Sequence, residues 1–354
     1  MQINRNKNWG PFIFLVSYQL LTLLALPFYF WYAELHWQTF VWMAVFYFAG
    51  GLAITAGYHR LFSHRCYKAS PIVEAVVTFL GSTTMQGSVI RWCYDHRQHH
   101  AHVDTDLDPY TIKKGFLFAH MLWLFEKPRP IEQKVVSDLY QKPLVSWQHR
   151  HDVIAMFGSN ALLYLFCALM TGDWLGSFVI AVCLRLFLLH HCTWFINSLA
   201  HTWGDQPFCK EHTAVNNFII SILTFGEGYH NFHHTYAHDY RNGVRWYQFD
   251  PTKWLIFTLS KLGLADSLRR VDEFAIRKKI LRETLSAHWD EKLKELSLKL
   301  EERMASYQNL ATRYHKLKKE RPDKAALISL KKELKEMRKQ FRAEWRNFFS
   351  LVKV

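Results

Sequence analysis

Four apolar runs, at about 11–32, 37–57, 153–171 and 174–196, limit this chain more than any other feature. A bilayer core about 30 Å thick takes roughly 20 residues of helix, so each run can span it. Inside hydrocarbon every backbone N–H and C=O must bond within its own segment, which leaves helices as the form these runs can take. Runs one and two are joined by a short link around Glu34, and runs three and four by Thr171-Gly172-Asp173. Links that short force two antiparallel hairpins. Arg5 and Lys7 precede the first run, and the segments 58–152 and 201 onward are rich in Lys and Arg. Under the hairpin topology these regions share one side, which the bias of positive charge assigns to the cytosol. No small-residue cleavage site follows the first run, so it reads as a retained anchor.

Two further apolar stretches, 71–90 and 214–226, are broken by Gly, Ser, Thr and Asn. They read as interfacial or re-entrant helices. The expected fold is an all-α membrane protein with a helical cap, and the expected division falls between 1–265 and a basic tail, 266–354. In the tail Leu293, Leu296, Leu300 and Met304, then Leu327, Leu330, Leu334, Met337 and Phe341, recur at helical steps. Arg321-Pro322-Asp323 breaks that rhythm and predicts a helical hairpin. Residues 267–354 hold 24 Lys and Arg against 13 Asp and Glu, most of the chain's net +14. Basic charge beside membrane spans suits anionic headgroups or an acidic protein. No nucleic-acid-binding motif accompanies it, so no nucleic-acid partner is expected. The six cysteines have no CxxC spacing and read as small buried hydrophobes.

Histidine is the anomaly, with 20 residues. Three boxes stand out: His59-Arg-Leu-Phe-Ser-His64, His96-Arg-Gln-His99-His100 and His230-Asn-Phe-His233-His234; Asn197-Ser-Leu-Ala-His201 closes the fourth span. Residues i, i+3 and i+4 share a helix side, so each HxxHH box can converge on one point. His59 and His64 are about 140° apart on an α-helix, so they straddle a helix end or reach different metals. Nine imidazoles exceed one ion's needs and suit two. Neutral imidazole serves iron, copper, nickel or zinc. An isolated interfacial histidine is ordinarily a satisfied polar residue, but eight in three boxes are not explained that way. The remaining histidines read as structural. Asp104, Asp106 and Asp108 read as carboxylates that orient ligands or cap loops. Arg185, within the fourth run, should face the protein interior or a wet cavity.

GLAITAGYHRLFSHR (51–65), DHRQHH (95–100), TWFINSLAH (193–201) and GEGYHNFHHTYAHDYRNGVRW (226–246) resemble the integral-membrane fatty acyl desaturases of the stearoyl-CoA type over roughly residues 10–260. The resemblance implies four spans, cytosolic termini and a di-iron centre that uses O2. Its nine histidine ligands would be His59, His64, His96, His99, His100, His201, His230, His233 and His234, with Asn197 reaching one iron through water. It also implies that Thr193 and Trp194 line a kink in a substrate tunnel closed near Tyr47 and Gly51. Lys113, Lys114 and Asp95 would meet the CoA headgroup. Tyr94 and Gly87 depart from the family pattern at that headgroup end.

The implied reaction places a cis double bond at carbon nine of a saturated acyl-CoA. Removing hydrogen from an unactivated methylene requires an oxidant stronger than any side chain, which an oxygen-activating metal provides. A narrow tunnel can hold the chain, since burial contributes about 0.8 kcal/mol per CH2. No His-Pro-Gly-Gly haem motif occurs, so two electrons must come from a separate ferredoxin or small cytochrome. A related membrane di-iron hydroxylase or an acyl-lipid desaturase is the near rival. A histidine-rich metal transporter is the distant one, because its ligands should lie at the midplane of its spans. The compact N-terminus leans toward a bacterial inner membrane over the endoplasmic reticulum.

Overall fold

A computed structural model describes residues 7–286, 291–320 and 324–352. Arg5, used above for orientation, and the Arg321-Pro322-Asp323 breaker lie outside the described residues. The chain forms two compact units: Met1–Gln206 with Glu211–Arg270, and Pro207–Lys210 with Val271–Val354.

In the first unit four helices are long and apolar enough to cross a membrane: α1 (Trp9–Tyr32), α2 (Trp37–Ser63), α5 (Asp152–Thr171) and α6 (Trp174–His201). Between them lie α3 (Pro71–Ser82) and α4 (Val89–His102); α7 (Phe218–Leu223), α8 (His230–Thr235) and α9 (Pro251–Lys261) follow. The all-helical expectation therefore holds, and the paired strands Lys68–Ala69 and Ala265–Asp266 form the one sheet among the described residues. Helix α6 packs against α1, α2 and α5 and is the most enclosed span. Leu24 of α1 and Leu169 of α5, both 74% exposed, point outward as lipid-facing residues do.

Buried polar groups tie the bundle together. Gly172 ends α5 in the left-handed conformation, and Asp173 then caps α6 by accepting from the Gly176 N–H at 2.6 Å. The other Asp173 oxygen accepts from Tyr29 of α1 (2.7 Å) and Thr39 of α2 (3.0 Å), so one carboxylate joins both hairpins. Arg185 is fully buried and faces the interior as expected. It donates to the carbonyls of Ala181 and Thr83 and to Asn160 Oδ1. Such pairing is what an arginine in a span requires.

Spans two and four run further than the apolar pattern alone, to Ser63 and His201. Their extra turns carry histidines. From Ala53 to Ser63, α2 is wound as a π-helix, whose hydrogen bonds link residues five apart. The His64 N–H donates to the His59 carbonyl at 3.0 Å. Helix α3 is apolar but only 12 residues long; it lies close on α2, where a Cβ at Gly57 or Gly81 would strike Val77 or Tyr58.

The second unit holds α10 (Glu273–Ser286), α11 (Glu291–Lys319) and α12 (Lys324–Val352). Leu281, Leu293, Leu300, Met304, Phe341 and Phe348 form its core. The expected hairpin of α11 and α12 is present, and α10 joins it as a third helix that the repeat did not reveal. Ion pairs Lys278–Glu301 and Arg303–Glu344 (2.9 and 2.7 Å) clasp its surface. Cys66, Cys93, Cys167, Cys183 and Cys192 form no disulfide, and all but the half-buried Cys192 are buried.

Candidate metal centre and cavity

The nine histidines of the boxes and of the fourth span's end form two groups: His59, His64, His96, His100 and His233, and His99, His201, His230 and His234. Within each group the nitrogens lie within 4.8 Å of one another. Each HxxHH box is divided between the groups and does not converge on one point. The reason is helical: residues i and i+4 are about 40° apart around the axis, whereas i+3 falls about 60° to the other side of i. His96 with His100, and His230 with His234, are the i, i+4 pairs; His99 and His233 turn to the opposite groups. His64 follows directly on the π-helical stretch that carries His59, so the pair does straddle a helix end. Both nonetheless belong to the same group, because π winding brings round what an α-helix would hold apart.

Nitrogen spacing is the most informative measurement. Nε2–Nε2 separations are 2.8 Å for His64–His96, 3.0 Å for His59–His233 and 2.9 Å for His100–His233. In the second group they are 3.2 Å for His99–His234 and 3.0 Å for His230–His234. Ligands at right angles around a metal, with imidazole bonds of about 2.1 Å, stand about 3.0 Å apart. His233 and His234 each face two such neighbours, and one ring nitrogen has a single proton to donate. His201 Nε2 is buried without a partner. These residues fit two metal ions. Burial, and then the charges of neighbouring imidazoles, push the pKa values of His64, His96, His100, His230, His233 and His234 well below the usual value. They are therefore neutral, as ligands must be.

The outward nitrogens are held by a second ring of groups. His99 Nδ1 donates to Asp108 at 2.9 Å, and His96 Nδ1 to the Tyr110 hydroxyl at 3.2 Å. His201 Nδ1 donates to Thr213 Oγ1 (2.8 Å), whose own hydroxyl donates to Asp104 (2.6 Å). Asp104 and Asp108 thus do what carboxylates behind metal-bound histidines do. Asp106 takes part only through its carbonyl, which accepts from Arg129. Sequence reasoning missed Glu227, whose Oε2 lies 2.9 Å from His59 Nδ1, off the line of donation. Burial alone would raise the Glu227 pKa; the charges of His59 and Arg60 outweigh it and bring it down to about 2. The sequence offered only position as a signal, two residues before Tyr229 in the third box motif.

Beside the histidines runs a cavity of about 760 Å³. Gly51, Leu223 and Phe225 line one part of it, and His59, His96, His99, Thr193, Trp194 and Asn197 another. Arg91, Asp95, Lys114, Lys127 and Arg129 line a charged part. A Cβ on Gly51 would run into the Phe225 ring. Tyr47 is not on the lining; its hydroxyl donates to the Leu223 carbonyl at 3.3 Å and its ring lies 5.5 Å from that of Phe225. Lys113 is exposed and likewise off the lining, while Asp95 is clasped by Arg91 through both carboxylate oxygens. Gln86 was also missed: it donates to Thr193 (3.1 Å) and accepts from Trp92 (3.3 Å), bridging the cavity wall.

Fold and site together define a membrane protein with two histidine clusters that could hold metal ions beside an apolar cavity. The family model described as "Fatty acid desaturase" matches residues 35–264, and the chain belongs to that family. It is 45% identical over 249 residues to a "Probable acyl-CoA desaturase" of Schizosaccharomyces pombe, covering 70% of this chain and 52% of that one. It is 38% identical over 252 residues to "Acyl-CoA desaturase 1" of Saccharomyces cerevisiae, covering 70% and 49%. A "sn-2 palmitoyl-lipid 9-desaturase" of Nostoc is 38% identical over 269 residues, covering 73% and 88%. The chain spans about half the length of the first two relatives.

Proposed function

We propose that this chain is an O2-dependent di-iron desaturase that introduces a cis double bond, at carbon nine, into a saturated long-chain fatty acyl-CoA. The observation that carries this reading is the convergence of nine imidazoles, seven of them buried, in groups of five and four beside an apolar cavity. Two iron ions, when bound, would supply the oxidising power that removes two hydrogens from adjacent methylenes, with O2, two electrons and two protons consumed and two waters released.

What the chain's own residues contribute is placement. His59, His64, His96, His100 and His233 would hold one ion and His99, His201, His230 and His234 the other, with Asn197 near the second through water. Asp108 steadies the His99 ring from behind, and the Glu227 carboxylate stands beside His59. Burying an eighteen-carbon tail is worth roughly 13 kcal/mol at about 0.8 kcal/mol per CH2, ample for retention. It cannot select between neighbouring carbons, whose burial is the same. Selection needs a bend, offered by Thr193, Trp194 and the Gln86 bridge, and a stop, offered by Gly51 against Phe225 near Tyr47. It also needs a fixed head. Lys114, Arg91 and Arg129 suit phosphates, with Asp95 and Lys113 alongside.

Charge bias argues that the metal centre and both termini face the cytosol. A separate acidic carrier, a ferredoxin or small cytochrome, would deliver the electrons, and the basic tail is suited to steer it. Deleting 270–354 should then raise the salt-sensitive apparent KM for the carrier; unchanged donor kinetics would remove that role.

A lipid-linked acyl chain is the second reading, favoured by the name of the Nostoc relative. The experiment is expression in a host lacking monounsaturated fatty acids, with double bonds mapped by gas chromatography and mass spectrometry. A carbon-nine alkene supports the proposal, and an alcohol product or none overturns it. Supplying labelled acyl-CoA or phospholipid to the purified protein separates the two carriers.

A further inference from the structure

Outside the nine imidazoles of the two groups, His212 reaches the centre among the described residues. His212 lies in the loop between α6 and α7, and its ring centroid is 5.3 Å from that of His234. Ring pairs inside the four-histidine group have the same spacing: 5.3 Å for His99–His201 and 5.4 Å for His201–His234. Both His212 ring nitrogens are shielded from solvent, and neither has a hydrogen-bond partner. An unpaired buried imidazole is costly, by about 1–3 kcal/mol for each unsatisfied group. By contrast, the buried His190 is satisfied by Tyr18 and the Thr84 carbonyl, and the exposed His238 by the His64 carbonyl.

The loop is fastened on both sides of this residue. Gln206 donates to the His212 carbonyl at 2.5 Å. Thr213 donates its N–H and its hydroxyl to Asp104 at 2.7 and 2.6 Å, and the same hydroxyl accepts from His201. His212 is therefore adjacent in sequence to the group that orients His201, and its ring stands against His234 of the same cluster. That cluster has four imidazoles where its neighbour has five.

We propose that His212 is an auxiliary donor to the ion of the four-histidine group, a tenth imidazole brought in by the 202–217 loop. Its nitrogens stand outside the set that meet within 4.8 Å, so ligation requires the ring to move inward as the ion binds. The bond formed is from a neutral ring nitrogen to the metal, and it replaces the nitrogen's missing hydrogen bond. This rests on the reading of the two groups as metal sites.

The test uses the full-length protein loaded with ferrous iron in detergent. Release to a ferrous chelator is timed for wild type, His212→Ala, His212→Gln and the control His102→Ala, and 57Fe Mössbauer spectra are recorded before the challenge. Wild type and the control should release two ions slowly. Both His212 variants should release one of the two about 10-fold faster or more, with an altered signal for that ion, and added imidazole should slow the release from His212→Ala. Identical release curves and spectra in all four proteins would overturn the auxiliary role while leaving the two-ion reading intact. A wild type that retains no iron would instead defeat the metal reading itself. Should His212→Ala aggregate, the soluble Gln variant decides by the same two readouts.

Discussion

Arg60, in the last turns of α2, makes the sharpest test of how the centre is held. Its guanidinium is fully buried and donates to Glu227 Oε1 from Nε (3.2 Å) and Nη2 (2.9 Å). It also donates to Asp250 (3.2 Å) and to the Tyr240 carbonyl (2.7 Å). Replacing it with methionine keeps most of the volume and strands two buried carboxylates. Asp250 retains three backbone donors, from Asn242, Gly243 and Lys253, at 2.8, 3.0 and 2.9 Å. Glu227 keeps one side-chain donor, Asn242, at 2.6 Å. Most of the cost therefore falls on Glu227. Breaking a buried pair by removing one partner costs about 3–5 kcal/mol, and the backbone donors to Asp250 place this case near about 3 kcal/mol. At about 2–4 °C per kcal/mol for a domain of this size, Arg60→Met should lower the unfolding midpoint by about 6–12 °C. Glu227→Gln, which leaves Arg60 paired with Asp250, should lower it less. In the double variant the losses should fall short of their sum by at least about 1 kcal/mol. The assay is thermal unfolding of full-length protein in one detergent, with a purified Arg60→Lys control that should not restore the wild-type value. A shift under about 2 °C, or strictly additive losses, would refute the reasoning.

Other perturbations act on separate parts of the site. Asp108→Asn should weaken retention of the four-histidine ion by about 10–100-fold, so iron analysis after chelator exposure should fall from two per chain toward one. Gly51→Ala should push the Phe225 ring into the cavity and move product distribution from eighteen-carbon toward sixteen-carbon chains, read by gas chromatography with both substrates supplied equally. Arg97 clamps the carbonyls of Phe62, Ser63 and Val135 and pairs with Asp138, so Arg97→Lys should cost about 1–3 kcal/mol in thermal unfolding. Burial would raise the Asp138 carboxyl, but hydrogen bonds and charge from Arg97 leave it below its usual value. That support is complete above the unfolded value near pH 4 and is lost as pH falls through the lower folded value. The midpoint of Arg97→Lys should accordingly fall less steeply with acid than that of wild type.

Sequence order carried the fold because spans and HxxHH boxes are local patterns. Run length located all four long helices, and helical spacing put histidines on shared faces. What remained hidden was either non-standard winding or contact across long stretches of chain. The π winding of α2 leaves no periodic trace, yet it decides that His59 and His64 join one group. Glu227 reaches Arg60 from 167 residues away, and Thr213 reaches Asp104 across 109. No spacing rule connects such pairs. The splitting of each HxxHH box could have been read from the 100° step per residue, which separates i+3 from the i, i+4 pair. Helix α10 escaped notice because its short apolar face, with Ile276 and Leu281 buried, blends into a heavily charged tail.

The central claim is that nine imidazoles hold two ions. It is tested most directly by iron stoichiometry of the full-length protein beside two single variants, His233→Ala from the five-histidine group and His201→Ala from the four-histidine group. The account expects about two iron ions per chain in the wild type and about one in each variant, with no alkene formed by either. A wild type holding one ion or none, or variants that keep both, would contradict it.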